Sequence, residues 1–330
     1  MHVDTRDAYL ELLKQCLTRA LFVGEERSRG RRRRLTGEMM RQLGTRGYLV
    51  VPAMPAVERQ AVTRVPGLPG SRVLTRLLAR RRFAVVPDTH AARGRLGPTT
   101  PRVRRRFRGR SRLVARTERE FGLDWPENAE TMVGLRRLDN VEECVVDVLR
   151  RGVPGDVLEA GVWRGGTTIL MRAVLAAYDD DRRRVWVADS FQGLPEPNVD
   201  VYPADAGLDY AGRAELSVGV RQVRANFARY GLLDDRVEFL PGWFGDTLPN
   251  APVERLAVMR LDGDLYESTM DALEALYPKL SVGGYCIIDD YGALEACRRA
   301  VDDYRRANGI TEEIRPVDWT GAYWQRAGGS

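Results

Sequence analysis

Residues 155–177 read GDVLEAGVWRGGTTILMRAVLAA. A short β-rich run at residues 157–160 is followed by a turn with three glycines and then by an apolar helical pattern at residues 167–177. A strand, a tight turn and a crossover helix are the repeating unit of a parallel α/β sheet. This stretch therefore predicts the first strand and the first helix of such a sheet.

The same alternation of short β-rich runs and helical patterns continues towards the C-terminus. An amphipathic helical pattern at residues 4–22 precedes it near the start of the chain. The sequence thus predicts an α/β fold with further strands at residues 185–188, 236–240, 256–261, 285–288, 313–317 and 322–325, and further helices at residues 216–230, 269–279 and 295–308.

The glycine turn indicates a ligand site at the end of the first strand. Its glycines let the backbone turn tightly and bring a ligand against the strand's carboxyl end. The turn does not read GxGxxG and lacks the lysine of a P-loop, which disfavours a pyrophosphate or triphosphate ligand. Asp189 ends the second predicted strand, where an acid can accept hydrogen bonds from a ribose diol. Each feature alone is often structural, but their order favours a bound nucleoside.

Four aspartates follow two later predicted strands. Asp262 and Asp264 come after one strand, and Asp289 and Asp290 come after the next. Because the carboxyl ends of neighbouring parallel strands converge on one crevice, we expect these carboxylates to gather. A hard divalent cation such as Mg²⁺ would relieve their mutual repulsion. The alternative is that they cap helices or occupy solvated turns, as single aspartates often do.

The net charge of +6 is unevenly distributed. Residues 27–116 contain 25 arginines, no lysine and three acidic residues, mixed with prolines and glycines. We interpret this stretch as an irregular or partly disordered insertion in which residues 48–51 and 83–86 can form local structure. The predicted domains are an N-terminal amphipathic helix (1–26), this Arg-rich insertion (27–116) and an α/β domain (117–330).

The insertion raises the question of a polyanionic partner. Arginines can neutralise nucleic-acid phosphates, but Tyr48, Phe83 and Phe107 are too few and too scattered to form a stacking platform. A solvated insertion is therefore favoured over a nucleic-acid site, and contact with an acidic partner or with the chain's own acidic domain stays open.

The remaining features predict a cytoplasmic protein without membrane contact. No apolar run approaches the ~20 residues that a membrane span needs, and the N-terminus does not resemble a secretory signal. Spacing typical of disulfides or zinc sites is absent from the four cysteines, which are predicted to be buried, reduced thiols: Cys16, Cys144, Cys286 and Cys297.

Four blocks, at residues 159–166, 187–195, 242–249 and 261–269, resemble the macrocin O-methyltransferase family of antibiotic-sugar methyltransferases. The resemblance covers residues 118–326, and residues 4–22 resemble the family's N-terminal helix. It implies a Rossmann-like methyltransferase sheet, mostly parallel with an antiparallel strand near the C-terminus and with helices on both faces. It also implies S-adenosylmethionine as methyl donor, Mg²⁺ as metal, a hydroxyl of a deoxysugar on a small-molecule glycoside as acceptor, and a homo-oligomer.

The resemblance also assigns roles to individual residues. Asp262, Asp289 and Asp290 correspond to metal ligands, and Asp264 corresponds to the general base. Glu159, Gly161 and Asp189 correspond to the cofactor site, and Thr131 and Met132 lie in a segment that resembles the one closing over the cofactor; Ser190 and Asp246, in the matching blocks, are further candidates for the cofactor site. Apart from the resemblance, Trp243 is a candidate to stack on the adenine, with simple packing as the equal alternative. Tyr210 and Tyr266 are candidates for the acceptor side because sugars favour aromatic platforms, and a place in the core is the alternative for Tyr266.

The sequence departs from some relatives in one respect. These relatives carry a histidine between the second strand and the following helix, where this chain has Asp209 and Tyr210, and its two histidines, His2 and His90, lie outside the matching blocks. A catechol-type metal-dependent O-methyltransferase and a nucleic-acid-associated methyltransferase-like protein remain the alternative functions.

Overall fold

The computed structural model describes residues 5–20, 48–52, 83–87, 119–123 and 128–328. The chain divides into two compact units, Met1–Arg19 with Trp125–Ser330, and Ala20–Asp124. In the second unit, β1 (Tyr48–Pro52) pairs in antiparallel fashion with β2 (Phe83–Pro87). The two apolar runs within the Arg-rich stretch therefore form a local β structure, and most of the predicted insertion lies outside the described residues.

The first unit is built on a seven-stranded sheet. Its strands lie in the order β5-β4-β3-β6-β7-β9-β8. β3 to β7 are parallel to one another, whereas β9 runs antiparallel to both β7 and β8. The predicted fold class is confirmed, including the antiparallel strand near the C-terminus. The strand bounds are β3 (Asp156–Ala160), β4 (Val185–Asp189), β5 (Val237–Pro241), β6 (Leu256–Leu261), β7 (Leu280–Ile288), β8 (Arg315–Pro316) and β9 (Ala322–Gln325).

Helices and short 3-10 turns accompany these strands in the first unit. The helices are α1 (Thr5–Leu17), α2 (Leu135–Arg151), α3 (Gly166–Ala177), α4 (Val220–Arg229), α5 (Phe244–Thr247), α6 (Tyr266–Leu276) and α7 (Glu295–Ala307), and the turns are Pro203–Asp205 and Tyr277–Lys279.

Burial on both faces explains why the central strands read as apolar runs. All six residues of β6 are buried. Val157 and Val185 belong to a hydrophobic core that also contains side chains of α1, α2, α3 and α4. Leu158 and Met259 are buried too, and they point to the opposite face because side chains alternate along a strand. Helices therefore cover the sheet on both sides.

Helix α1 packs on this unit through an apolar stripe and a buried charge. Leu10, Leu13 and Leu17 are buried, and the Lys14 ammonium is buried among carboxylates that include Asp139 and Glu142 of α2. At the end of the helix, the Leu17 carbonyl oxygen accepts a hydrogen bond from the amide of Glu130 (2.9 Å). The N-terminal helix is thus part of the same compact unit as the sheet.

Several element boundaries differ from the sequence prediction. The predicted helix at residues 216–230 begins only at Val220, because Gly219 is extended and forms its N-cap. The helix predicted at residues 269–279 begins earlier, at Tyr266, where the Asp205 carboxylate accepts hydrogen bonds from the amides of Tyr266 (2.5 Å) and Glu267 (3.3 Å). The predicted strand at residues 313–317 shrinks to β8, and β7 extends back to Leu280.

The cysteines match the prediction of buried thiols at three of four positions. Cys144, Cys286 and Cys297 are buried, Cys16 is partly buried, and all four are free thiols. Among the described residues, none of the helices combines the length and the apolar character required to cross a bilayer.

Candidate active site

The ends of β3, β6 and β7 are joined side by side at one edge of the sheet. The amide of Asp262 donates to the Ala160 carbonyl oxygen (2.8 Å), and the amide of Asp289 donates to the Leu261 carbonyl oxygen (2.9 Å). Hydrogen bonding therefore continues one residue beyond β6 and β7. This brings the two aspartate turns next to the glycine turn.

Gly161 permits the closest approach in this region. Its φ is +87°, and a Cβ atom there would lie 2.0 Å from the carbonyl oxygen of Asp262. Gly166 is also tightly packed, since a Cβ there would lie 2.6 Å from the carbonyl oxygen of Glu130. The turn needs glycine at these positions because any side chain would collide with backbone atoms.

Asp189 and Ser190 hold the neighbouring turns in shape. The Asp189 carboxylate accepts hydrogen bonds from the amides of Val162 (2.8 Å), Trp163 (3.3 Å) and Phe191 (2.6 Å). Burial raises the pKa of Asp189, and these amides oppose the shift. The Ser190 hydroxyl donates to the Gly193 carbonyl oxygen (2.6 Å). Both side chains thus organise the backbone at the predicted cofactor site.

The other predicted cofactor residues lie on segments that flank the glycine turn. The amide of Gly166 donates to the Glu130 carbonyl oxygen (2.9 Å), which places Thr131 against this turn with Met132 next in the chain. On the far side, Trp243 is 37% exposed and Asp246 is exposed, in the turn after β5. The amide of Gly242 donates to the Asp189 carbonyl oxygen (2.9 Å), so this turn lies at the same sheet edge.

Three carboxyl groups come together beyond β6 and β7. Oxygen atoms of Asp262, Asp264 and Asp290 all lie within 4.8 Å of one another. Burial and the charge of Asp289 raise the pKa of Asp262 to about 6. Burial and the charges of Asp262 and Asp289 raise the pKa of Asp264 to about 7. The pKa of Asp290 is also raised, by burial and by Asp264 and Asp262. We call these three residues the aspartate cluster.

Asp289 lies beside the aspartate cluster but is engaged differently. One of its oxygens pairs with Arg137 of α2 and the other with Arg260 of β6. Burial works against ionisation, yet these two guanidinium groups hold the pKa of Asp289 below its usual value. Of the three predicted metal ligands, Asp262 and Asp290 are therefore grouped with Asp264, whereas Asp289 forms ion pairs behind them.

Arg260 connects the aspartate cluster to the predicted cofactor site. Its Nη1 lies 2.5 Å from Oε1 of Glu159 and its Nη2 lies 3.1 Å from Oδ2 of Asp262. Glu159 is buried, and its other oxygen accepts a hydrogen bond from Thr168. Sequence reasoning did not single out Arg260 or Arg137. A signal for Arg260 was present in the sequence, because this arginine interrupts the apolar run of β6 and a buried charge requires partners.

The region carries an excess of negative charge that fits a bound cation. The guanidinium groups of Arg137 and Arg260 pair with four carboxyl groups, those of Glu159, Asp262, Asp289 and Asp318, and Asp264 and Asp290 add two more beside Asp262. Oδ2 of Asp290 is buried and accepts no hydrogen bond from the residues that the structure describes. The Asp262 side chain keeps 28% of its exposure, which gives access from solvent. Grouped carboxylate oxygens of this kind are ligands that Mg²⁺ prefers.

The two predicted acceptor-side tyrosines lie in different surroundings. Burial and the charges of Asp264 and Asp290 raise the pKa of Tyr210, whose hydroxyl is therefore within electrostatic reach of the aspartate cluster. The Tyr266 hydroxyl instead donates to Asp303 of α7 (3.2 Å), and its ring packs 5.8 Å from that of Tyr202. Tyr210 is thus the better placed of the two for contact with an acceptor.

With this geometry, the chain can be compared with known proteins. The family described as macrocin O-methyltransferase (TylF) matches residues 6–326. The chain belongs to this family. It is an O-methyltransferase, as the sequence blocks predicted, and the family supports S-adenosylmethionine as its methyl donor.

Members of the TylF family with named activities are similar over most of their length. One is the 8-demethyl-8-(2,3-dimethoxy-alpha-L-rhamnosyl)-tetracenomycin-C 4'-O-methyltransferase of Streptomyces olivaceus, 60% identical over 64% of this chain and 81% of that protein. Another is the demethyldecarbamoylnovobiocin O-methyltransferase of Streptomyces niveus, 52% identical over 68% of this chain and 87% of that protein. A third is the mycinamicin III 3''-O-methyltransferase of Micromonospora griseorubida, 55% identical over 63% of this chain and 83% of that protein.

A solved structure supports the same fold. The O-methyltransferase NovP superposes with a TM-score of 0.63 at 53% identity, covering 64% of this chain and 88% of NovP.

Proposed function

We propose that this enzyme transfers a methyl group from S-adenosylmethionine to a sugar hydroxyl of a small-molecule glycoside in the biosynthesis of an antibiotic or another secondary metabolite, with Mg²⁺ bound at the aspartate cluster. The observation that carries the proposal is the convergence of Asp262, Asp264 and Asp290 beside the glycine turn. The relatives support the acceptor class, because the name of one includes a rhamnosyl group and another is named for demethyldecarbamoylnovobiocin.

The chain's own residues define the metal site that we propose. Asp262 and Asp290 supply ligands, and Asp290 contributes the buried oxygen that lacks a donor among the described residues. Asp289 adds negative charge behind them and stays a predicted ligand, since each carboxylate oxygen has a second lone pair. When bound, Mg²⁺ would lower the pKa of a hydroxyl that it coordinates.

Asp264 is the general base of the proposed reaction. It has to be ionised to accept the proton of the acceptor hydroxyl, and a pKa raised to about 7 matches a base that works near neutral pH. The charge of Asp264 contributes to the raised pKa of Tyr210, which is proposed to help orient the acceptor. No described histidine competes for this role, since His2 and His90 fall outside the described residues.

The methyl donor is proposed to bind over the glycine turn. S-adenosylmethionine supplies the methyl group from its sulfonium centre. The residues proposed to surround it are Glu159, Gly161, Thr131, Met132, Asp189, Ser190, Trp243 and Asp246. The main contribution of these residues to rate is orientation, because a hydroxyl, a methyl carbon and a sulfur atom must be held in line with water excluded.

The partners and oligomeric state follow the sequence prediction and are part of the proposal. We infer a homo-oligomer that acts on a small-molecule glycoside and does not use nucleic acid or a membrane. A variant lacking residues 27–116 that still methylates a glycoside would separate the Arg-rich stretch from catalysis, while salt-sensitive binding of tRNA dependent on that stretch would favour the nucleic-acid alternative.

The experiment that tests the function combines binding and turnover. Isothermal titration with S-adenosylmethionine, with and without Mg²⁺, is followed by mass spectrometry against a panel of glycosylated metabolites and catechols. We expect a mass gain of one methyl group on a glycoside, lost with EDTA and restored by Mg²⁺. Methylation of catechols alone would replace the sugar assignment, and full activity in EDTA would remove the metal.

A further inference from the structure

Arg260 is a buried arginine whose guanidinium contacts carboxyl groups from three neighbouring strands. The side chain is 1% exposed. Nη1 pairs with Glu159 of β3 (2.5 Å), and Nη2 pairs with Asp262 at the end of β6 (3.1 Å) and with Asp289 at the end of β7. One cation therefore lies between the proposed donor site and the proposed metal site.

Stability does not account for this arrangement. Nε of Arg260 is buried and donates to no acceptor among the described residues, which leaves a polar group unsatisfied. Buried ion-pair networks are often no more stable than well-packed apolar side chains of the same volume. Replacing the whole network by apolar residues would thus cost little stability, whereas replacing Arg260 alone would leave the carboxyl groups of Glu159, Asp262 and Asp289 without their shared cation.

We propose that Arg260 is a positioning residue that couples the methyl-donor site to the metal site. The inference rests on the proposed function, because it assumes that Mg²⁺ and S-adenosylmethionine bind on either side of this side chain. Arg260 holds one oxygen each of Asp262 and Asp289, which fixes how these carboxylates are presented. It holds Glu159 at the same time, and Thr168 in the first turns of α3 holds the other oxygen of Glu159.

The coupling follows from the charges. Without a bound cation, Asp262 and Asp289 attract the guanidinium away from Glu159. A divalent cation that neutralises those two carboxylates weakens their attraction, so that Arg260 pairs more strongly with Glu159. Occupancy of the metal site thereby changes the donor site, and by linkage the donor changes the affinity for the metal by the same factor.

Arg137 is a matched control for this role. It is also a buried arginine, at 7% exposure, and it also pairs with Asp289, but its second partner is Asp318 rather than Glu159. Substitution of Arg137 also removes an ion pair of Asp289 at the proposed metal site. It leaves the contact between Arg260 and Glu159 at the proposed donor site intact.

The test measures binding of S-adenosylhomocysteine and of MgCl₂ by isothermal titration calorimetry in wild type, Arg260→Lys and Arg137→Lys. For both variants, we expect roughly 10- to 100-fold weaker Mg²⁺ binding, the range seen when partners that orient metal ligands are changed. Wild type and Arg137→Lys are expected to bind S-adenosylhomocysteine with an affinity that depends on Mg²⁺. In Arg260→Lys this dependence is lost.

The outcomes separate this inference from the proposed function. The inference is overturned if Arg260→Lys keeps the wild-type dependence on Mg²⁺, if Arg137→Lys loses it equally, or if wild type binds both ligands independently. A wild-type protein that binds S-adenosylhomocysteine but not Mg²⁺ would instead remove the metal from the proposed function, and the coupling with it.

A second pair of variants covers the case in which Arg260→Lys does not fold, as judged by thermal unfolding. Glu159→Gln cuts the same link from the donor side and is expected to lose the Mg²⁺ dependence. Thr168→Val removes the other hydrogen bond to Glu159, leaves the three ion pairs of Arg260 in place, and is expected to retain it. Equal behaviour of the two variants would contradict the coupling.

Discussion

The glycine turn after β3 is held by hydrogen bonds from its amides to Asp189 of β4, whereas the turns after β6 and β7 bring carboxyl groups together and leave one oxygen of Asp290 without a donor among the described residues. Asp189 accepts three backbone amides around the glycine turn, and Gly161 packs its backbone directly against that of Asp262. In the aspartate cluster, three carboxyl groups face one another, and Oδ2 of Asp290 accepts no hydrogen bond from any described residue.

This difference separates two kinds of site on one sheet edge. The glycine turn has its geometry before any ligand arrives, so changes there are expected to affect folding. The aspartate cluster stores repulsion that a cation relieves, so changes there are expected to affect binding and catalysis. Some of them should even stabilise the metal-free protein.

The largest effect is expected for Asp262→Ala. Loss of this ligand should lower kcat on the order of 10⁴-fold, because metal stabilisation of several kcal/mol corresponds to about tenfold per 1.4 kcal/mol. Steady-state kinetics with and without EDTA measure it. Near-wild-type activity in EDTA for this variant would contradict the metal site.

Asp264→Asn is expected to lower kcat about 10²- to 10⁴-fold, the usual contribution of a general base, while S-adenosylhomocysteine still binds. Wild-type activity should fall as pH drops, because only the ionised form of Asp264 accepts a proton; burial and the charges of Asp262 and Asp289 raise its pKa to about 7 without metal, and bound Mg²⁺ would move the fall to lower pH. The variant should lack this acidic limb. An identical pH profile of kcat in both proteins would rule out Asp264 as the base.

Gly161→Ala should destabilise the fold, since left-handed backbone strain and overpacking each cost about 1–3 kcal/mol. Gly152→Ala is the matched control, because Gly152 also has a positive φ (+64°) but a Cβ there would meet nothing within 4 Å. Urea unfolding of both variants measures the difference. An equal decrease in the free energy of unfolding in both variants would show that the close contact with Asp262 does not add to the destabilisation.

The smallest effect is expected for Asp290→Asn, which should raise the Tm of the metal-free protein by a few degrees. Burial and neighbouring carboxylates raise the pKa of Asp290, so keeping this group ionised at neutral pH destabilises the metal-free fold. A raised carboxyl pKa lowers stability as pH rises above the unfolded value, so the gain should be larger at pH 7.5 than at pH 5. Addition of Mg²⁺ should no longer raise the Tm of this variant. A Tm below that of the metal-free wild type would contradict repulsion among the carboxylates of the aspartate cluster.

The sequence predicted most of the sheet because each central strand is an apolar run followed by a turn signal. It did not predict α2, whose buried residues Leu138, Val141, Val145 and Val148 nonetheless recur at helical spacing. The start of α6 was misplaced because its cap comes from Asp205, which lies far away in the chain.

At the site, two aspartate motifs and one glycine turn were enough to predict which residues would be neighbours. Their ion-pair partners were not predictable, because Arg137 meets Asp289 and Asp318 only through tertiary packing. Closeness in sequence also misled the prediction for Tyr266. This residue lies two positions after Asp264, but the helix that begins there directs its hydroxyl to Asp303.

The hydrogen bond between Leu17 and Glu130 brings the two borders of the long intervening stretch into contact. The chain therefore leaves the unit that contains the sheet and returns to it at neighbouring points. The entropy of closing a flexible loop grows only logarithmically with its length, by about 0.6 kcal/mol for each doubling. A flexible connection between two such points can thus be lengthened at little thermodynamic cost to the sheet and its site.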